Sequence, residues 1–185
     1  MQILSSLSGL YADLAGLKVR ATNRIGDLNA RSMTNSIFSA GAIGNVTTSR
    51  DLTGSTLLAG YDIGTDYAIG ASGDATFGTA KGSIGAITVG GTMRATSIAA
   101  GIAPGGGLQF GDGDDSVLVS TSLEGAIKSL TVKDALIGSA DTAGQHFGVV
   151  AHTTIGPVLV GGQKLTLPWP NPPDQSVNIR IVQRI

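Results

Sequence analysis

The sequence predicts an all-β fold, a single-stranded parallel β-helix (right-handed β-solenoid) with inserted Gly/Asp-rich loops. Three observations predict it. The chain of 185 residues carries 28 glycines, about twice the usual share of roughly 7%, so the backbone turns tightly and often. Only 14% of residues are charged and 42% are hydrophobic, which excludes the high-charge, apolar-poor composition of disorder. Last, an apolar pattern repeats along the chain, the signature of a stacked array in which neighbours bury each other's faces.

The repeat has two parts. In the first, an apolar residue is followed three positions later by an apolar pair that brackets one residue. It occurs at Leu14, Leu17 and Val19; at Ile25, Leu28 and Ala30; and at Ile43, Val46 and Thr48. It returns at Ile84, Ile87 and Val89; at Ile127, Leu130 and Val132; and at Ile155, Val158 and Val160. The alternating pair puts both side chains on one face of a strand. The three-residue step, with glycine at Gly26, Gly44, Gly85 and Gly156, reads as a corner. The second part ends in Ala-Gly, at 36–41, 55–60, 96–101 and 139–144. There Phe38 and Ala40, Leu57 and Ala59, and Ile98 and Ala100 take equivalent inward positions. The same alignment puts Asp141 in the column of Phe38, Leu57 and Ile98, so either this last repeat opens to solvent there or the carboxylate is buried with a partner; the open reading is preferred.

Taken in order, residues 1–24 form an N-terminal rung or cap. Leu4, Leu7, Leu10, Leu14 and Leu17 are spaced like a helix stripe, whereas Leu17, Val19 and Ala21 alternate as in a strand; the strand reading is preferred. Residues 25–165 are the solenoid repeats, built on a coil of about 18–21 residues. The long intervals carry loop insertions at 61–83 and 102–125, both rich in Gly and Asp and both leaving the same corner, where binding residues usually sit. Residues 166–185 are a Pro-rich loop and a C-terminal closing strand. Pro168, Pro170, Pro172 and Pro173 lack the amide a ladder needs, while Val177, Ile179 and Ile181 alternate with polar residues.

The Ile-Gly strands, the Ala-Gly ends and the terminal segments 145–151 and 155–162 resemble the glycine-rich β-solenoid repeats of large bacterial surface and secreted, adhesin-like proteins, at the C-terminal end of such an array. The likeness covers roughly residues 14–185. It implies an extracellular or cell-surface setting, a structural or adhesive role, and a longer array as partner. The modest length departs from such proteins and reads as a fragment. Residues 1–20 show no signal peptide, so an export signal would lie upstream, and no apolar run reaches the ~18 residues of a membrane span.

The chemistry-bearing candidates are few. Gly111-Asp112-Gly113-Asp114-Asp115 could curl carboxylates around calcium, a hard cation that prefers oxygen ligands. It partly resembles the calcium-binding repeats of secreted toxins, without recurring in tandem. Asp62 and Asp66, in the other loop, are a weaker cation site. An ordinary solvated turn, where Asp and Gly are favoured, is the preferred reading of both. No cofactor is required, and calcium is the candidate one. His146 and His152 lack visible partners for zinc or general-base chemistry. Trp169 suits a packing plug better than a sugar platform. A chain without cysteine and with net charge −1 offers neither thiolate chemistry nor a basic stripe for nucleic acid.

The sequence therefore predicts a non-catalytic structural or adhesive module, whose partners beyond the array are surface glycans or proteins. The alternative is a carbohydrate-active or carbohydrate-binding β-helix, a lyase or hydrolase drawing its acids from Asp112, Asp114 and Asp115. Aromatics at 4% argue against a sugar-lined groove. Ice binding would need a regular Thr-x-Thr ladder, and Thr47, Thr48, Thr88 and Thr131 do not supply one.

Overall fold

The computed structural model describes residues 12–71, 73–77, 81–106, 108–112, 114–118, 124–138, 147–168 and 177–181. Among them the chain is all-β, with no helix. Its main strands pair in parallel with the equivalent strand of the next repeat, and like residues fall in columns.

Three ladders result. In the first, strands Lys18–Ile25, Ile37–Ile43, Thr56–Ala59, Ser97–Ala100, Phe147–Ala151 and Val177–Ile181 pair in that order. One column runs Val19, Phe38, Leu57, Ile98, Val149, Ile179, and the next runs Ala21, Ala40, Ala59, Ala100, Ala151. The second ladder stacks Ile25, Ile43, Ile84, Ile127 and Ile155. Beside them stand Leu28, Val46, Ile87, Leu130 and Val158. The third, short ladder stacks Leu14, Met33, Leu52, Met93 and Leu136. All three turn these residues into one hydrophobic core.

The corners explain the small and polar residues. Between the third and first ladders, Gly16, Asn35, Gly54 and Ala95 all have positive φ, from 47° to 64°, so the chain bends the same way in each repeat. The next residue is Ser36, Ser55 or Thr96, each buried. Its hydroxyl donates to the carbonyl two residues back and accepts an amide of the preceding repeat: Leu17 N–H to Ser36, Ser36 N–H to Ser55, Ser55 N–H to Thr96. Buried backbone amides that the sheet leaves free are satisfied this way. At the corner within the second ladder, Asp27 Oδ1 accepts from Asn45 N–H at 2.8 Å and Asn45 Oδ1 from Ala86 N–H at 3.0 Å. These side chains lie where a Cβ on Gly44 or Gly85 would stand, which is why glycine recurs there.

Stacked partners are 18 or 19 residues apart in the first repeats and 41 apart across the first loop (Leu57 to Ile98). They are 43 or 51 apart across the second (Ile84 to Ile127, Ile98 to Val149) and 28 apart from Ile127 to Ile155. The register corrects two sequence readings. Leu14, aligned above with Ile25, instead pairs with Met33 in the third ladder, and Val19 pairs with Phe38 in the first. Leu14 and Leu17 flank a corner at Gly16, and Leu17 is exposed. A corner of either kind gives the same apolar spacing, so local pattern could not separate them.

The second correction concerns 139–144. Val149, not Asp141, stands next to Ile98, and Ala151 next to Ala100. An apolar side chain continues the column, where a carboxylate would be buried at a cost. Asp141 itself lies outside the described residues, as do Leu4, Leu7, Leu10, His146 and Trp169.

Thr47, Thr88 and Thr131 do stack in one outward column. Thr48, beside Thr47, faces inward and is buried, so the second threonine row of a Thr-x-Thr face is not built there.

Candidate functional site

Two loops leave equivalent corners, after Gly60 and after Gly101, and both open as antiparallel pairs. Tyr61–Asp62 pairs with Ala75–Thr76, and Ile102–Ala103 with Ser116–Val117. They fold back over the outer face of the first ladder. Leu58, Ala99 and Val150, which point away from the main core, are buried under Tyr61, Ile63, Ile102, Phe110 and Leu118 as a second hydrophobic cluster. The loops also touch each other, since Leu108 of the second lies where a Cβ on Gly70 of the first would be. The face is thus buried on both sides, which apolar doublets such as Leu57-Leu58 and Val149-Val150 require.

Asp62 is 8% exposed and is engaged from two sides. Arg20, on the first described repeat, forms a bidentate pair with it, Nη2 to Oδ2 at 2.6 Å. Gly64 N–H donates to its Oδ1 at 3.0 Å. The Arg20 guanidinium lies 5.8 Å from the Phe77 ring centroid, so cation, carboxylate and ring anchor the first loop to the first ladder. Asp66 accepts from Ala68 N–H, a local turn bond. Tyr61 donates to Asp74 Oδ2 at 2.7 Å, and Gly70 N–H donates to the same oxygen. Burial and then Asp74 push the Tyr61 phenol well above its ordinary range, so it remains a neutral donor.

In the second loop Asp112, Asp114 and Asp115 share one turn. Asp115 accepts from Gly111 N–H at 2.8 Å and Asp112 from Asp114 N–H at 3.4 Å. Burial, then the adjacent carboxylates Asp114 and Asp115, raise the Asp112 pKa. The structure therefore holds the three sequence-predicted residues of this loop in local turn bonds, without converging them on one point, and commits Asp62 of the other loop to Arg20. Among the described residues, no three His, Cys, Asp or Glu side chains converge as a metal-holding group. His152 follows the end of the strand Phe147–Ala151, its backbone N–H donating to Ala100 O.

Sequence reasoning missed the Arg20–Asp62 pair, which joins residues 42 apart, and no local signal announces it. It also missed the loops' role as a cover, although the doublets Leu57-Leu58 and Val149-Val150 were a usable clue. Among the described residues no helix is long and apolar enough to cross a membrane. Comparison with family models, with curated proteins and with solved structures gives no match.

Proposed function

We propose that the three ladders are the faces of one right-handed, single-stranded parallel β-solenoid, and that the chain is a non-catalytic structural and adhesive module of a large bacterial cell-surface or secreted protein. The observation that carries this reading is the stacking of like residues in register from Leu14 to Ile179. Right-handedness follows from the strong preference of parallel crossover connections. Stacking of this kind serves rigidity and reach, because each repeat buries its face on its neighbours and the array extends by addition. The rest of a longer array is the natural partner of the end strands. The non-catalytic reading is supported by the carboxylates of the two loops, which are engaged in turn bonds and an ion pair.

Cysteine pairs test the stacking, against the clean background of a chain with none. Thr88 and Thr131 face outward in adjacent repeats, at the ~4.8 Å separation that a disulfide tolerates. Thr88→Cys/Thr131→Cys is expected to oxidise readily, and Thr47→Cys/Thr131→Cys, two repeats apart, to stay reduced. The reverse result would remove the solenoid. The carbohydrate-active alternative predicts new reducing ends from pectin or alginate, and measurable turnover would displace the non-catalytic reading.

A further inference from the structure

We infer that the outer groove along the second ladder binds an anionic polysaccharide, laid along the stacking direction. The inference rests on the solenoid reading, because the groove spans five stacked repeats, and it names the partner of the adhesive surface.

The groove encloses about 540 Å³, within the range of ligand-binding clefts. Its floor is low along the column Ala42, Ser83 and Ala126, whose outward side chains are small, while Asp27 and Asn45 lie over Gly44 and Gly85 beside it. Cations stand over it. Arg24, Lys81 and Lys128 line the groove, with the Asp27 carboxylate at its edge over Gly44, in a chain whose net charge is −1. Lys81 is paired with Glu124 at 2.8 Å. Among the described residues, no ion pair engages Arg24 or Lys128, and both are exposed.

Arg24 owes its place to a bulge. The first strand carries one extra residue between Ala21 and Arg24 relative to its partner, and bulges of this kind re-aim side chains. Here Asn23 and Arg24 are delivered to the rim, where the next repeat has only Gly41 and Ala42.

The spacing selects a polymer. Arg24 belongs to the first repeat and Lys128 to the fourth, three spacings or ~14 Å apart. No small anion reaches both, but a linear chain with a charge on every unit does. Asn23 beside Arg24, Ser83 between the two cations and Thr154 beyond Lys128 offer amide and hydroxyl groups along the groove, matching sugar hydroxyls. No aromatic side chain lines the groove, so bases would find nothing to stack on. The chemistry favours uronate-type sugars over nucleic acid.

The test is calorimetry on the full chain with a galacturonate oligomer, its methyl-esterified counterpart and a single-stranded DNA oligomer. The uronate is expected to bind best, with affinity falling as salt rises. Arg24→Gln/Lys128→Gln should weaken it by about tenfold per charge removed, with the melt unchanged. Equal binding of the esterified oligomer, stronger binding of DNA, no uronate binding, or an unaffected double variant would each overturn the proposal. The Thr88→Cys/Thr131→Cys crosslink is read in parallel. If the crosslink forms and the uronate does not bind, the solenoid stands and only the groove assignment falls.

Discussion

At the scale of single residues, the corner before the first ladder sets Gly54 and Ala95 in stacked, equivalent places with opposite demands. Both have positive φ, 58° and 47°, but only Gly54 has Asn35 Oδ1 pressed where a Cβ would go. Gly54→Ala is therefore expected to cost at least about 1–2 kcal/mol, the left-handed penalty of an L-residue, before Asn35 is displaced. Ala95→Gly relieves that penalty while adding unfolded-state freedom, so it should change stability by less than about 1 kcal/mol. Urea denaturation of the two variants reads both, and equal losses would contradict this account of the corner.

Asp112 makes a second residue-scale case. Burial and its carboxylate neighbours raise its folded pKa, so folding favours the protonated form. The associated stability is present below the unfolded carboxylate pKa and is lost as pH rises through the folded value. At neutral pH the ionised group is a liability. Asp112→Asn is expected to raise the thermal midpoint at pH 7 and to leave it unchanged near pH 3. A midpoint that falls at pH 7 would show that the charge is being used, as bound calcium would use it.

At the scale of the element, each column is a row of side chains whose cost of removal depends on which way it faces. Ile87 is fully buried between Val46 and Leu130, and Ile87→Ala should cost about 2–5 kcal/mol. Its neighbour Thr88 points out, and Thr88→Ala should stay within about 0.5 kcal/mol. Denaturant midpoints with unchanged slopes would establish the contrast. This alternation was legible in the sequence because it needs only neighbours one and two apart. The columns led by Ile25 and Phe38 were legible for the same reason, and the exit of both long loops from the same Ala-Gly corner was legible too, though not their antiparallel pairing. The placing of Leu14 and of 139–144 was not, because both depend on which strand a segment pairs with, and two corners with similar apolar spacing look alike. The candidate sites were less legible still. Asp62 read, with Asp66, as a weak cation site or an ordinary turn, yet its environment is set by Arg20 on a distant strand. The groove is invisible in sequence, since alanine, serine and glycine columns read as packing until the repeats are superposed.

At the scale of the whole molecule, one core runs through the described repeats, while each repeat touches mainly its neighbours. Stability is then close to a sum of repeat and interface terms, and unfolding should proceed inward from the ends. Hydrogen exchange resolves this directly. Thr56–Ala59 and Ser97–Ala100 are hydrogen-bonded on both sides and lie under the loop cover, so their amides should exchange slowest. Among the described strands, Asp13–Ala15 and Gln163–Lys164 are paired on one side only and should exchange fastest, by local opening. The loop cover adds a condition. Phe110 is buried over Leu58, Ala99 and Val150, and Phe110→Ala should speed exchange in the second loop and at these three outward positions first. Exchange that rises equally in every repeat would mean that the two cores unfold as one cooperative unit, and that the cover is part of what holds the array closed.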